Sequence, residues 1–580
     1  MRRYIFGWMA VALVVASAAG CGGNGGDASN YVVPDIPSVS DSQRTVSYLV
    51  EDFQKGDDCH LVISTNAKTA ENRDLRKVTV SSDVDYSVSS SPKQFLAKDD
   101  EAEAYAPMAC GFAEAAIDIS TANESETVTD ATTTARFDSM EKGNVEWIWA
   151  AFNGTAQKVY VKKVLGNTET TYCNILSSAT IDETDRYATE LTEAQALAVA
   201  QAFDKEIYER VTKVCGYEWN TGGGRDGDRR VNIVFLRDEQ MKKQDNSSIY
   251  GYVSVRDLLP RVSDEYNAKV QKNYSNGGEY IYLNYDVLFG GDADAGLNVE
   301  EIKTVLAHEF THLTQLNQKV AKNGSFAGLG QIGTDSSVAA LYAAMGDPVL
   351  TEGLADLAAD LCGFGVTYAD GKTSGKAASQ LSLDSIYRYM NGKSTFATEG
   401  SKDAPTIFPT AFFDTEAKDL AGMGHLFGLH ILGSYGKDTL SKLYKSPDCG
   451  VELLEGALGE PVNDIMHRYD MAVSLSGLGS LPTQYAKYEI PYVNLGGSNV
   501  YLASDGSIKS VNINKAVDTD YRIVYPKLSA SQFEVLPWFN CLTHLVCQTS
   551  APLKVNAVVP KSAQTNLIHI DDNGDIKAIY

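Results

Sequence analysis

The segment that most constrains this chain is an amphipathic stretch with two histidines four residues apart. From Val299 to Leu316, apolar residues recur at spacings of mostly three and four, which is the period of a helix with one buried face. His308 and His312 lie in the middle of that stretch, and Glu309 follows the first histidine. Because residues four apart lie on the same side of a helix, both imidazoles can bind a single metal ion.

A second helix is predicted downstream, and it carries two carboxylates at the same spacing. Asp347 followed by Pro348 is typical of a helix start, since proline suits the first helical position. Glu352 is the candidate for a third metal ligand, and Asp356 can accept a hydrogen bond from the far nitrogen of a ligating histidine. The alternative interpretation is two ordinary amphipathic helices with buried histidines and solvating carboxylates.

Three protein ligands leave a fourth position open for water, as in a catalytic zinc site. We therefore expect one Zn²⁺ ion, held by His308, His312 and Glu352, to lower the pKa of a bound water toward ~7. Glu309 would take the proton of that water and pass it to the leaving amine. The predicted activity is that of a zinc-dependent metalloendopeptidase.

The residues after the second histidine narrow the class of enzyme. Metzincins require Gly and His where this chain has Gln315 and Gln318, so that class is excluded. The strand-like residues 279–285, the histidine helix and residues 350–356 instead resemble the gluzincin clan of zinc metallopeptidases, and most of all the hyicolysin family. The resemblance covers roughly residues 190–480.

The resemblance to gluzincins implies a fold and a set of roles. The fold would be a thermolysin-like, mostly helical catalytic domain with a small edge sheet. Glu352 would be the third zinc ligand, and Asp356 would orient His308. Ala421 stands where similar proteins often carry tyrosine, so His425 becomes the candidate that stabilises the oxyanion of the tetrahedral intermediate.

The histidines outside the motif have a simpler interpretation as well. The segment around His425 and His430 is almost wholly apolar, which favours buried, hydrogen-bonded histidines over catalytic ones. The remaining four fit no ligand spacing: His60, His467, His544 and His569.

The start of the chain is typical of an export signal. Residues 1–21 combine two arginines, an apolar run and small residues before Cys21, as in the signal peptide of bacterial lipoproteins. The alternatives are an ordinary signal peptide cut nearby and a short membrane anchor. Residues 22–40 have the composition of a flexible tether. Because Gly22 is not the aspartate that retains similar lipoproteins in the inner membrane, we expect an exported lipoprotein at the outer membrane or cell surface.

The remaining length predicts a multidomain α+β protein. At 580 residues the chain is too long for one core. Short alternating stretches predict a β-rich module over residues 41–185. Helices begin after Thr192, where Gln195 completes a capping-box pattern, so the metallopeptidase domain is placed at residues 186–480. Residues 481–580 return to strand patterns and are predicted as a C-terminal β-rich module.

Eight cysteines remain after Cys21, and an even number favours disulfides in an exported chain. Sequence alone leaves their connectivity open, but pairing between neighbours would keep most bridges inside one domain. The predicted pairs are Cys59 with Cys110, Cys173 with Cys215, Cys362 with Cys449, and Cys541 with Cys547.

Charge and composition limit the partners. A net charge of -25 excludes nucleic-acid binding, which needs a basic surface, so the expected partners are a peptide or protein substrate and, through the N-terminal lipid, a membrane.

Residues 226–228 and 292–294 are candidate Ca²⁺ sites, each with two aspartates, but neither follows an EF-hand loop and a solvated turn is the alternative. The rival to the enzyme is a catalytically silent surface lipoprotein that binds a partner through its β modules. A zinc hydrolase acting on a non-peptide amide is a third interpretation.

Overall fold

The computed structural model of the protein shows a mixed α+β structure. It describes residues 43–64, 78–82, 136–152, 155–166, 169–179, 189, 191–218, 230–241, 249–254, 257, 261, 274–289, 299–322, 348–364, 417–448, 450–475, 483–488, 498–502, 508–512, 532–535, 543–544, 552–561, 563–573 and 575–580.

Sixteen strands occur in these ranges, numbered in chain order. They are β1 Gln43–Val50, β2 Asp58–Ser64, β3 Val78–Ser82, β4 Val145–Phe152, β5 Thr155–Leu165, β6 Cys173–Ser178, β7 Val231–Leu236, β8 Gly251–Tyr252, β9 Tyr280–Asn284, β10 Ser498–Leu502, β11 Ile508–Asn512, β12 Gln532–Val535, β13 Thr543–His544, β14 Leu553–Pro560, β15 Gln564–Ile570 and β16 Ile576–Ile579.

The helices of the described residues lie in the middle of the chain, between Glu193 and Tyr488. They are α1 Glu193–Ala202, a π-helical turn Phe203–Ile207, α2 Tyr208–Cys215, α3 Asp238–Met241, α4 Tyr285–Phe289, α5 Val299–Lys322, α6 Pro348–Leu361, α7 Ala417–Tyr435, α8 Lys437–Lys445, α9 Gly450–Leu458, α10 Val462–Leu475 and a 3₁₀ helix Thr483–Tyr488.

A mixed sheet with the strand order β4-β5-β6-β7-β9-β8 supports the helices of the candidate site. Strands β6, β7 and β9 run parallel, whereas β4, β5 and β8 join them as antiparallel neighbours. The three parallel strands are buried along their whole length, which their apolar sequences allow. Strand β9 confirms the strand predicted within residues 279–285.

Helix α5 packs against the first helices of the predicted catalytic segment. Helix α1 begins at the predicted capping box, in which Thr192 and Gln195 satisfy each other's backbone N–H groups. Phe310 of α5 lies 5.1 Å from Phe203 and 5.4 Å from Tyr208, measured between ring centroids. This aromatic contact anchors the middle of α5, where the two motif histidines lie.

Helices α6 and α7 cross with almost no space between their backbones. A Cβ atom added to Gly353 of α6 would lie 2.2 Å from the carbonyl carbon of Gly424 and 2.2 Å from the backbone nitrogen of His425. Only a residue without a side chain permits this approach. Helix α6 begins at Pro348, as the sequence predicts.

Strands from the two ends of the chain share sheets. One sheet has the order β1-β14-β3-β12, another has the order β13-β2-β15-β16, and β10 pairs with β11. This differs from separate modules over residues 41–185 and 481–580. Strands β4 to β6 of the first segment also belong to the sheet of the middle segment, which β6 joins by pairing with β7. Residues 39–580 group into one compact unit. Alternating hydrophobicity identifies a strand and its buried face but not its partner, so the sequence could not predict this pairing.

The predicted disulfide between Cys173 and Cys215 is wrong. Both residues are buried thiols: the Sγ atom of Cys173 donates to Oδ1 of Asp204 at 3.7 Å, and burial raises the pKa of Cys215 well above its usual value. Cys362 is also a buried thiol, which contradicts its predicted bond to Cys449. An even number of cysteines indicates disulfides only when the cysteines approach each other in the fold.

Several predictions fall outside the described residues. These are the signal peptide, the tether and Cys21, both candidate calcium sites, and the cysteines at positions 110, 449, 541 and 547. Within the described ranges, no helix combines the length and apolarity needed to cross a bilayer.

Candidate metal site

The predicted ligands meet between helices α5 and α6. The Nε2 atoms of His308 and His312 lie 2.9 Å apart, and Oε2 of Glu352 is 3.4 Å from the first and 3.6 Å from the second. All three side chains are buried. Among the described residues, this is the one group of three or more His, Cys, Asp or Glu side chains with ligand atoms close enough for a metal ion.

The spacing of these atoms fits a tetrahedral metal ion. Ligand atoms bound ~2.0–2.1 Å from a tetrahedral zinc ion lie about 3.3 Å from each other. The two distances to Glu352 match this value closely, and the two histidine nitrogens are somewhat nearer to each other. Two imidazoles and one carboxylate are also a common donor set for catalytic zinc.

Asp356 holds the first histidine, as the sequence predicts. Its Oδ1 atom lies 2.8 Å from Nδ1 of His308, on the side of the ring away from the other ligands. Burial disfavours a charged imidazole here, but the hydrogen bonds to Asp356 and Glu352 outweigh it and raise the pKa of His308 well above its usual value. In the metal-free chain His308 therefore carries a proton that a metal ion would replace.

Gln315 holds the second histidine. Its Oε1 atom lies 3.1 Å from Nδ1 of His312, and its Nε2 atom donates to the backbone carbonyl of Thr351 at 3.4 Å. Burial lowers the pKa of His312, although Glu352 acts in the opposite direction. His312 is therefore neutral, which is the form that binds a metal.

Glu352, the predicted third ligand, is ionised in this setting. Burial would raise the pKa of Glu352, but the imidazoles of His312 and His308 outweigh burial and lower the pKa to about 2. The lone pair of His312 Nε2 and the carboxylate of Glu352 thus converge on the metal-facing nitrogen of the protonated His308. Such a group of acceptors is stable only with a positive charge among them, which a proton or a metal cation can supply.

Glu309 is the side chain of the site that has no internal partner. It is fully buried, and neither of its carboxylate oxygens has a hydrogen-bond partner among the described residues. Burial, together with the nearby Glu352 and Asp356 carboxylates, raises the pKa of Glu309 to about 8, with His308 acting against the shift. A buried, unsatisfied carboxyl beside a metal-ligand group is suited to a molecule bound at that metal and not to fold stability.

The structure does not bring His425 into this group. Its ring is buried, and its Nε2 atom lies 3.2 Å from Oδ2 of Asp360. Asp360 follows Glu352 by eight residues, which is about 12 Å along a helix. The ring of His425 is thus not one of the three converging side chains, and its oxyanion role stays a prediction.

The other described histidines have structural partners away from the ligands. Nδ1 of His430 lies 3.1 Å from Oγ of Ser434, and burial lowers the pKa of His430 to about 3. His467 lies 2.9 Å from Ser64, and His569 lies 2.7 Å from Asp57. The side chains of His60 and His544 lie outside the described part of the chain.

Comparison with known proteins adds no identification. None of the protein-family models compared with the chain matches it, and neither does any curated protein sequence. The resemblance to gluzincins therefore depends on the motif residues and the geometry around them.

Proposed function

We propose that this protein is a zinc-dependent endopeptidase of the gluzincin type. The observation that carries the proposal is the convergence of His308, His312 and Glu352 from two helices, with the unpaired carboxyl of Glu309 beside them. Nitrogen and carboxylate donors with an open fourth position favour zinc over Mg²⁺ or Ca²⁺, which prefer all-oxygen sites. A thermolysin-like arrangement, in which the third ligand comes from a separate helix, is part of the proposal.

Each residue has a defined part in peptide hydrolysis. Bound zinc supplies a Lewis acid for the scissile carbonyl and an acidified water. An Oε atom of Glu309 accepts the proton of the attacking water and then delivers it to the nitrogen of the leaving amine. A carboxyl with a pKa near neutrality suits both transfers, and burial keeps bulk water from competing for the proton.

Digestion of a peptide library, with and without a chelator, tests the proposal. We expect cleavage by the zinc-loaded protein, loss of cleavage with the chelator, and recovery when zinc is restored. Glu309→Gln should keep zinc bound at wild-type stoichiometry while cleavage falls by about 10²-fold or more, since proton transfer contributes 10²–10⁴-fold. Glu452→Gln, at an exposed position of α9, is the matched control and should cleave normally.

The outcomes also separate the rival functions. Zinc binding without peptide turnover would favour a hydrolase acting on a non-peptide amide or a silent binding protein. Normal cleavage by Glu309→Gln would contradict the assigned general base.

The location of the enzyme is a separate proposal. The pattern that ends at Cys21 supports an exported lipoprotein anchored by lipid at the cell surface or outer membrane. Fatty-acid labelling of the wild type that is lost in Cys21→Ser would support it, and equal labelling of both would contradict it.

A further inference from the structure

We propose that Gln315 is a positioning residue that sets the tautomer of His312, and that the backbone carbonyl of Thr351 in turn sets the orientation of Gln315. The proposal rests on the proposed zinc site but concerns a residue outside the ligand set. Gln315 lies one turn after His312 on α5, and its side chain is buried. Its two amide atoms bridge α5 to the first turns of α6.

The orientation of the Gln315 amide follows from hydrogen-bond chemistry. A backbone carbonyl can only accept, so the group that faces the oxygen of Thr351 at 3.4 Å must be the NH₂ of Gln315. The amide oxygen then faces Nδ1 of His312 at 3.1 Å. An oxygen can only accept, so Nδ1 of His312 must carry the proton.

The protonated Nδ1 decides what His312 can do at Nε2. In a neutral imidazole with its proton on Nδ1, Nε2 has a free lone pair and is ready to bind a metal. Without Gln315 no acceptor would hold the proton at Nδ1, and a proton on Nε2 could turn toward the carboxylate of Glu352, whose Oε2 atom lies 3.6 Å away. That tautomer must lose its proton before it can bind zinc.

The acidic groups around the site explain why position 315 suits the neutral amide of glutamine better than a carboxylate. Three carboxylates, Glu309, Glu352 and Asp356, are already buried around the two histidines. A carboxylate at position 315 could accept from His312 but would add another buried acidic group and would face the Thr351 carbonyl without a donor. An amide offers one acceptor and one donor with no net charge.

The bridge couples the two ligand helices. Thr351 immediately precedes Glu352, so the backbone that carries the third ligand also fixes the second ligand. We therefore expect metal affinity to depend on Gln315 although its side chain does not reach the metal. Partners of this kind typically change metal affinity or activity by 10–100-fold.

The first measurement needs no variant. In the metal-free wild-type protein with ¹⁵N-labelled histidine, NMR should show His312 with its proton on Nδ1, the signal being assigned by its absence in His312→Asn. A proton on Nε2 would overturn the proposal, whether or not the protein binds zinc.

The second measurement compares zinc dissociation constants by chelator competition. Gln315→Leu should weaken zinc binding by about 10-fold or more, because it removes the acceptor for Nδ1 of His312. Gln318→Leu, a partly exposed position one turn further along α5, is the matched control and should bind zinc as the wild type does. Wild-type affinity in Gln315→Leu would overturn the proposal while leaving the zinc site intact.

The two proposals fail in different ways. A wild-type protein that binds no zinc contradicts the proposed function, whereas the ring proton of His312 still tests the role of Gln315. If zinc binds normally but His312 keeps its proton on Nδ1 in Gln315→Leu, the role of Gln315 is wrong and the enzyme stands.

Discussion

Single residues at the proposed zinc site divide into the predicted ligands and the side chains that hold those ligands. His308 is held by the charged Asp356 at 2.8 Å, and His312 by the neutral Gln315 at 3.1 Å. A charged acceptor makes its histidine a stronger donor to the metal than a neutral one does. The two histidines are therefore expected to contribute unequally to affinity.

Asp356→Asn tests the charged partner. The amide keeps the size of the carboxyl but removes its charge, so zinc should bind about 10–100-fold more weakly. Asp360→Asn, one turn further along α6 and in contact with His425 and not with a ligand, is the control and should bind zinc within about twofold of the wild type. Equal affinities in wild type and Asp356→Asn would contradict the role given to Asp356.

Sequence could predict which side chains converge, but not every residue that holds them. His308, His312, Glu352 and Asp356 follow helical spacing, which fixes a common face before the fold is known. A glutamine three residues after a histidine does not by itself predict a positioning role. Gln315 is oriented by the backbone carbonyl of Thr351, which only tertiary packing brings close. His425 was predicted from a resemblance, and its contact with Asp360 depends on a helix crossing that no sequence pattern shows.

At the scale of elements, the crossing of α6 and α7 holds Glu352 in place. Gly353 adjoins Glu352 and lies against the backbone of α7. Any side chain at this position must push the two helices apart, because backbone atoms cannot move aside as a flexible side chain can. Displacement of α6 would also move Glu352 away from the two histidines.

Gly353→Ala should therefore reduce both stability and zinc affinity. Overpacking of this kind costs about 1–3 kcal/mol of unfolding free energy, which urea denaturation of the metal-free protein can measure. Gly456→Ala is the matched control. Gly456 also lies within a helix, α9, but a Cβ atom added there has no other atom within 4 Å. It should be neutral or stabilise by about 0.5–1 kcal/mol, since alanine favours helices. Equal effects of both substitutions would contradict the close approach of α6 and α7.

At the scale of the whole molecule, the two ends of the chain meet in shared sheets and against helix α10. Strand β14 lies between β1 and β3, and β15 pairs with β2. The hydroxyl of Ser64 on β2 donates to Oδ2 of Asp470 on α10, and its oxygen lies 2.9 Å from Nδ1 of His467. Strand patterns predicted β9 and a β-rich end of the chain correctly, but the pairing of β1, β2 and β3 depends on contacts between segments hundreds of residues apart.

Removal of residues 552–580 should destabilise the N-terminal strands. Strands β1, β2 and β3 would lose β14 and β15, leaving backbone N–H and C=O groups without partners. Limited proteolysis should then cleave within residues 43–64 of the truncated protein and spare that segment in the full chain. Equal protection in both would show that the N-terminal segment folds independently.

Asp470 predicts a specific dependence of stability on pH. Burial raises the pKa of Asp470 from 3.8 to about 8, with the Ser64 hydrogen bond acting against the shift. Between these values the folded protein holds a proton that the unfolded chain has released, so the unfolding free energy falls as pH rises and levels off above about pH 8.

Asp470→Asn removes this titration. Relative to the wild type, the variant should gain stability as pH rises from 5 to 8, because only the wild type retains the cost of a buried ionisable carboxyl. Thermal unfolding of both proteins across this range measures the difference. A difference in melting temperature that stays constant or shrinks with rising pH would contradict the assignment.

The most direct test of the zinc site is anomalous X-ray diffraction at the zinc absorption edge. Crystals of the zinc-loaded wild type should show one anomalous peak enclosed by His308 Nε2, His312 Nε2 and Glu352 Oε2, and Glu352→Ala should lose or weaken that peak. A zinc-loaded crystal with no peak at that position, or with its zinc held by other residues, would contradict the account.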